Sequence, residues 1–324
     1  MSKDHERRIL DQVYGRGAGW TVLATEGPDF LCQRDSTEVL GVEVTEYFHS
    51  ESDARLQKIS AYSQELLVSH RYRHKDDKVT FRVEKITYFP EGDKARGKEI
   101  DAIIRSVPSL IERFDKLSSI IKLKNDKCAA YLKSSPVVDL VIYDSNYAFH
   151  FERFADLYRP LSTSNIRSQV IASSFREVFL VTKGSNDKLV CVPLKANAFV
   201  EEIMICQHLF IAQRHDEYRR LDFGAFMCSL IGLLVYSGFG NTRLYKEDGT
   251  VHLRFSSIEF IYGCNGNKID DYTPFPENYN RGDTIDVLAD KLDEEERKRS
   301  AQIRESRKGY TSCMDLFFHA HTDL

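Results

Sequence analysis

No uncharged apolar run in this sequence is longer than the 14 residues from Phe223 to Tyr236. A bilayer-spanning helix needs about 20, so this run reads as a buried helix and no membrane role is expected. The seven cysteines (32, 128, 191, 206, 228, 264 and 313) are odd in number and form no CxxC or CxxH pair. That argues against a zinc cluster and against a disulfide framework. The phosphate-cradling patterns GxxxxGK(S/T) and GxGxxG are missing, as is the GxSxG of serine hydrolases. With 8 prolines and 17 glycines in 324 residues, fibrous and low-complexity classes are excluded. A net charge of −4 excludes a basic coat for nucleic acid. The first residues, MSKDHERRIL, are charged and carry no apolar core, unlike a secretory signal. A reducing, cytoplasmic setting is expected.

What is present suits a globular α/β protein. Hydrophobic residues make up 42% and charged residues 29%, enough for one large domain or two ordinary ones. Residues 1–195 carry net +2 and residues 196–324 net −6; within the first part, residues 101–195 carry net +4. A helix is expected over 4–14, capped by Asp4. Strands follow at Trp20–Thr25, Phe30–Gln33 and Val39–Phe48, then one helix after Ser50 with Leu56, Ile59, Tyr62, Leu66 and Leu67 at helical spacing. Residues 71–78 (RYRHKDDK) read as a charged loop and Val79–Phe89 as an inserted strand. Pro108 opens a second long helix reaching Leu132. VVDLVIY (137–143) reads as a buried strand, and 178–182 with 189–192 as a hairpin through Gly184-Ser185-Asn186. The expected fold is therefore α/β, a mixed central sheet flanked by helices over 1–195. Residues 196–324 are expected to be mostly α-helical, with a hairpin at Glu247-Asp248-Gly249 and one charged helix from Ile285 to Lys308. Their role is unassigned; they could pack on the first part, or serve a protein partner or self-association.

Residues 19–48 carry the chemistry. Pro28-Asp29 opens one short strand, and Glu43 follows 14 residues later inside the next, apolar strand. Two antiparallel neighbours can bring these carboxylates to one edge of a sheet. Two hard oxygen donors with water and phosphate completing the shell suit Mg²⁺. Strand alternation puts Val42 and Val44 on one face, Glu43 and Thr45 on the other. The plain alternative for Glu43 is the solvated face of an amphipathic strand.

The order helix, strand, Pro-Asp, strand, Glu-x-Thr, helix, strand resembles the PD-(D/E)xK nuclease superfamily, with its restriction-endonuclease-like fold, over residues 1–195. The resemblance rests on Pro28-Asp29-Phe30, Gly41-Val42-Glu43-Val44-Thr45 and Asp139–Tyr143. It implies that Asp29 and Glu43 hold Mg²⁺ (or Mn²⁺) and that a lysine two residues after the glutamate orients the attacking water. Thr45 stands at that lysine's position and supplies no cation. Lys58, Lys124 and Lys127 are candidates for a relocated lysine, Lys127 being favoured, and Glu6 of the first helix is a candidate accessory acid. The implied activity is metal-dependent phosphodiester hydrolysis of nucleic acid, DNA above all, in the manner of restriction or defence nucleases. The alternative is a nuclease-fold protein that has lost catalysis and binds nucleic acid or a protein partner. His70 and His74 read as loop residues, and His319 and His321 as a frayed terminus.

Overall fold

The computed structural model describes residues 2–15, 19–34, 38–89, 97–162, 164–184, 188–212, 222–263, 266–271 and 281–310. In chain order the elements are α1 (Lys3–Tyr14), β1 (Thr21–Ala24), β2 (Phe30–Arg34), β3 (Glu38–Glu46), α2 (Glu51–Lys58), α3 (Tyr62–Ser69), α4 (Asp77–Thr80), β4 (Phe81–Tyr88), β5 (Lys98–Arg105), α5 (Leu110–Tyr131), β6 (Val137–Tyr143), α6 (Phe154–Leu161), α7 (Ser164–Ala172), β7 (Val178–Lys183), β8 (Leu189–Pro193), α8 (Leu194–Ala212), α9 (Phe223–Tyr236), β9 (Arg243–Glu247), β10 (Thr250–Phe255), β11 (Ile258–Gly263), β12 (Gly266–Asp271), β13 (Asp283–Thr284), α10 (Ile285–Ala289) and α11 (Glu294–Arg307). They form two compact units, Met1–Glu46 with Leu117–Leu324, and Tyr47–Lys116. The division falls on either side of an inserted segment, not at residue 195.

The larger unit holds a six-stranded mixed sheet in the order β1-β2-β3-β6-β7-β8. β1 with β2 and β2 with β3 pair antiparallel, β3 pairs parallel with β6 and β6 with β7, and β8 closes antiparallel on β7. Parallel central strands are covered on both faces, and β6 accordingly reads as a nearly unbroken apolar run. Helix α1 lays Ile9, Leu10 and Tyr14 against Phe30, Leu40, Val42, Val44, Val141 and Phe179. Its cap is Ser2, whose hydroxyl accepts from His5 N at 3.3 Å. Asp4 lies inside the first turn instead, where its charge suits the helix dipole.

Among the described residues of 196–310, helices α8–α11 make up about half, as expected, but more than one hairpin accompanies them. These residues contain a five-stranded sheet, β12-β11-β10-β9-β13, on which α8 and α9 pack through Phe199, Phe239 and Phe255 among others. The hairpin at Asp248-Gly249 is as expected, with both residues at positive φ. β11 is not legible in the sequence, because Ser256-Ser257 forms a second tight turn without a glycine. The charged terminal helix is two helices. Asp293 accepts from Glu296 N and Glu296 from Asp293 N, a capping box that starts α11 afresh. The single helix expected after Ser50 is likewise broken, at Ile59–Ala61, into α2 and α3. In the smaller unit β4 and β5 form a two-stranded ribbon beside a cluster of Tyr62, Leu66 and Phe81. The Ser185-Asn186 turn, Cys264, Cys313, His319 and His321 lie outside the described residues. No described helix is long and apolar enough to cross a membrane.

Buried charge ties the layers together. Asp139 on β6 is fully buried and receives Arg176 Nε at 2.8 Å, a second Arg176 nitrogen, Tyr14 OH at 2.7 Å and Glu177 N at 3.1 Å. Glu177 is also fully buried. Its carboxylate accepts from the first backbone amides of α8 (Lys195 N, 2.7 Å; Ala196 N, 3.0 Å) and from Ser256 and Ser257 at the β10–β11 turn (2.5 and 3.1 Å). Burial raises its pKa. Asp139→Ala leaves Arg176 buried without its anion, so a loss of about 3–5 kcal/mol is expected, read as a lower urea midpoint at unchanged slope. A loss below about 1 kcal/mol would put the pair on a par with exposed ones and refute the role given to it.

Candidate active site

The β2–β3 register pairs Phe30 with Val42. Continued by one residue, it sets Asp29 opposite Glu43, with the two side chains on the same face of the sheet. The Thr25–Asp29 turn fixes Asp29: Thr25 N donates to Asp29 O at 2.9 Å and the Thr25 hydroxyl to Pro28 O. Val44 N donates to Asp29 Oδ2 at 3.0 Å, fastening the carboxylate to β3. Gly41 allows this close approach, since a Cβ there would lie 2.8 Å from Pro28 Cγ.

Glu43 is 6% exposed, so the solvated-face alternative does not hold. It meets two side chains of α5. Lys124 Nζ lies 2.6 Å from Glu43 Oε1, and Tyr131 OH donates to the same oxygen at 3.0 Å. Along α5, Leu117, Ile121, Cys128 and Tyr131 are buried at the 4-7-3 spacing of one helical face. Lys124 falls within that stripe, where it meets Glu43. Burial, with Glu43 and then Asp29 nearby, raises the Tyr131 pKa, so the phenol stays a donor. Among the described residues Glu43 Oε2 accepts no hydrogen bond, and it remains open for a ligand.

The lysine reaching the carboxylate is thus Lys124, not the favoured Lys127, which is exposed and off the stripe. Lys58 lies over the Phe48 ring, 4.8 Å from its centroid. Thr45 is half-buried on the Glu43 side of β3 and brings no charge. Glu6 is buried and is joined to Asp29 through Lys3, whose Nζ lies 2.5 Å from Asp29 Oδ1 and 3.1 Å from Glu6 Oε2. Burial lowers the Lys3 pKa, but the bonds to Asp29 and Glu6 outweigh it and the net shift is upward. Lys3 and Tyr131 were missed from sequence. The available signals were the i, i+3 relation of Lys3 to Glu6 and the i, i+7 relation of Tyr131 to Lys124.

Among the described residues no cluster of three or more His, Cys, Asp or Glu side chains could hold a metal ion, and His70 and His74 are exposed. Mg²⁺ needs fewer protein ligands, commonly one or two carboxylates with water and phosphate. Asp29 and Glu43 fit that donor set. Three carboxylates and two ammonium groups give the site a formal charge of −1; one divalent ion makes it +1, which a phosphodiester neutralises. An apolar cavity of about 490 Å³ lies elsewhere, among Phe210, Phe223, Phe226 and Tyr262. Among the described residues its lining holds no carboxylate, lysine or histidine. No protein-family model, no curated protein and no solved structure matches the chain, and the site stands on its own geometry.

Because Lys3 occupies Asp29 Oδ1, an incoming cation must displace it. Lys3→Met is expected to tighten Mn²⁺ binding about tenfold, the scale of one charge a few ångströms away in a partly exposed site, and Lys3→Arg to leave it near wild type. Calorimetric titration with Mn²⁺ reads both; equal affinity for Lys3→Met and wild type would show that Lys3 does not compete.

Proposed function

We propose that the chain is a metal-dependent nuclease of the PD-(D/E)xK kind, hydrolysing phosphodiester bonds of nucleic acid, DNA in the first place. The observation that carries this reading is Lys124 Nζ at 2.6 Å from Glu43 Oε1. It supplies, from a neighbouring helix, the ammonium that Thr45 does not. The antiparallel β2–β3 pair bearing Asp29 and Glu43, followed by parallel β6 and β7, supports a restriction-endonuclease-like sheet.

Asp29 and Glu43 would hold one Mg²⁺. When bound, the ion supplies Lewis-acid chemistry, lowering the pKa of water and neutralising phosphate charge. Lys124, held by Glu43, would be placed to orient an attacking water or to stabilise developing negative charge. Tyr131 keeps Glu43 Oε1 occupied, so the carboxylate turns its other oxygen toward the ligand. Lys3, released from Asp29, is left to meet a phosphate oxygen.

A second reading has its own support. Lys3 and Lys124 already satisfy Asp29 and Glu43, as a site retained for binding without catalysis would allow. Cleavage of plasmid and single-stranded DNA with Mg²⁺ or Mn²⁺ separates the two. Wild-type cleavage reduced at least about 100-fold in both Glu43→Gln and Lys124→Met is the expected result. Wild-type protein that binds DNA but cuts neither substrate with either metal would establish the second reading.

A further inference from the structure

The charged segment 70–78 does not behave as a loose loop. Asp77 is fully buried and accepts from Arg55 at 2.6 and 3.2 Å, from Tyr62 OH and from His74 N at 3.2 Å. Arg73 N donates to Tyr62 OH at 3.1 Å, and the Arg73 guanidinium grips Glu65 through two bonds of 2.9 and 2.6 Å. Arg55 and Arg73 are consumed in this frame. The other cations are not. Arg71, Lys78 and Arg82 are exposed and form no ion pair with any described residue. All three line one open groove of about 680 Å³, together with His70 and Tyr72 and with Glu84 as the one acid. Lys78 Nζ lies 6.0 Å from the Tyr72 ring centroid. The unit Tyr47–Lys116 carries net +2, leaving −6 for the rest of the chain.

We propose that this groove binds the phosphodiester backbone of a nucleic acid, independently of sequence, through Arg71, Lys78 and Arg82. Cations with no ion pair to give up release counterions from each phosphate they neutralise, while the frame beneath fixes their backbone. The groove has an aromatic wall and cationic rim, and so suits a backbone with bases attached better than a free anion. Backbone contacts of this kind fix position without reading bases. The proposal shares with the nuclease reading only that the ligand is nucleic acid; it needs no catalysis.

The test uses the full chain carrying Glu43→Gln, so that no cleavage intervenes, and a fluorescein-labelled 20-nucleotide DNA, single-stranded and as a duplex. Anisotropy titrations across 50–300 mM salt give the slope of log K against log salt. Removing three phosphate contacts (Arg71→Ala, Lys78→Ala, Arg82→Ala together) should lower the slope by about 2 for the single strand or about 2.7 for the duplex, and whichever form responds is the substrate of the groove. A control with the same charge change at exposed positions of the other unit (Lys246→Ala, Lys291→Ala, Lys298→Ala) should leave the slope unchanged. Equal slopes and affinities for the two triple variants would overturn the proposal, as would absence of binding by the parent protein at 50 mM salt. Groove-dependent binding without metal-dependent cleavage by the chain with Glu43 intact would sink the nuclease reading and leave the groove standing. Cleavage with groove-independent binding would do the reverse.

Discussion

Two consecutive residues at the foot of β7 hold the larger unit together. The Arg176 side chain enters the sheet and meets Asp139, which in turn holds Tyr14 of α1. The Glu177 side chain caps α8 and receives both serines of the β10–β11 turn. Neither carboxylate has access to water, and an unpaired buried charge costs several kcal/mol. Each partner must therefore be in place before the interior can close. The six-stranded sheet, the first helix, and the second sheet with its helices thus share one polar junction, which accounts for residues 196–310 belonging with the first sheet and not forming a domain of their own.

The candidate site inherits its geometry from that junction. Tyr14 anchors the C-terminal end of α1, and the apolar face of Ile9 and Leu10 lays the helix along the sheet. The other end is thereby directed at the start of β2, where Lys3 and Glu6 meet Asp29. On the opposite face, the buried stripe of α5 does the same for Lys124 and Tyr131. Glu43 is consequently approached from a helix it does not adjoin in sequence, 81 residues away in the case of Lys124. Gly41 and the 25–29 turn supply the remaining constraint by letting Pro28 lie against β3. Glu43 sits on a strand, Asp29 on the short turn fastened to it, and the lysines beside them on helices, so most of the site is carried by regular elements.

Much of this was legible in the sequence because it obeys simple periodicity. The alternation around Glu43 gave β3 and the side on which the carboxylate lies. VVDLVIY gave β6 to the residue, and Asp248-Gly249 gave the β9–β10 turn. What stayed hidden depended on partners distant in the chain. Lys124 and Lys127 are both plausible by spacing, and only the register of the α5 stripe against the sheet chooses between them. Lys3 looks like a solvated helix start until the Pro28-Asp29 turn is brought beside it. β11 follows a serine turn that carries no glycine signal, and 258–263 buries residues on both faces, so its alternation is erased. The breaks in the two long helical patterns are local capping events, Asp293 with Glu296 and the Ile59–Ala61 turn, set within stretches whose composition alone favours one continuous helix.

The charge arithmetic of the site bears on what it can bind. A pair of divalent ions would carry the five side chains from −1 to +3, an excess that one phosphodiester could not neutralise. One ion gives +1 and one bound phosphate brings the sum to zero. The same count explains why two lysines can stand beside these carboxylates without repelling a metal outright. Lys124 sits on one Glu43 oxygen and the other accepts from no described residue, while Lys3 is half-exposed and bridges Asp29 and Glu6. A site that had merely lost its metal would have no reason to keep Glu43 buried, since a carboxylate with a single ammonium partner gains little over one left in water. Glu43 is instead buried beside both Lys124 and Tyr131, with an Oε2 that accepts from no described residue, and its burial is matched by partners on one oxygen only.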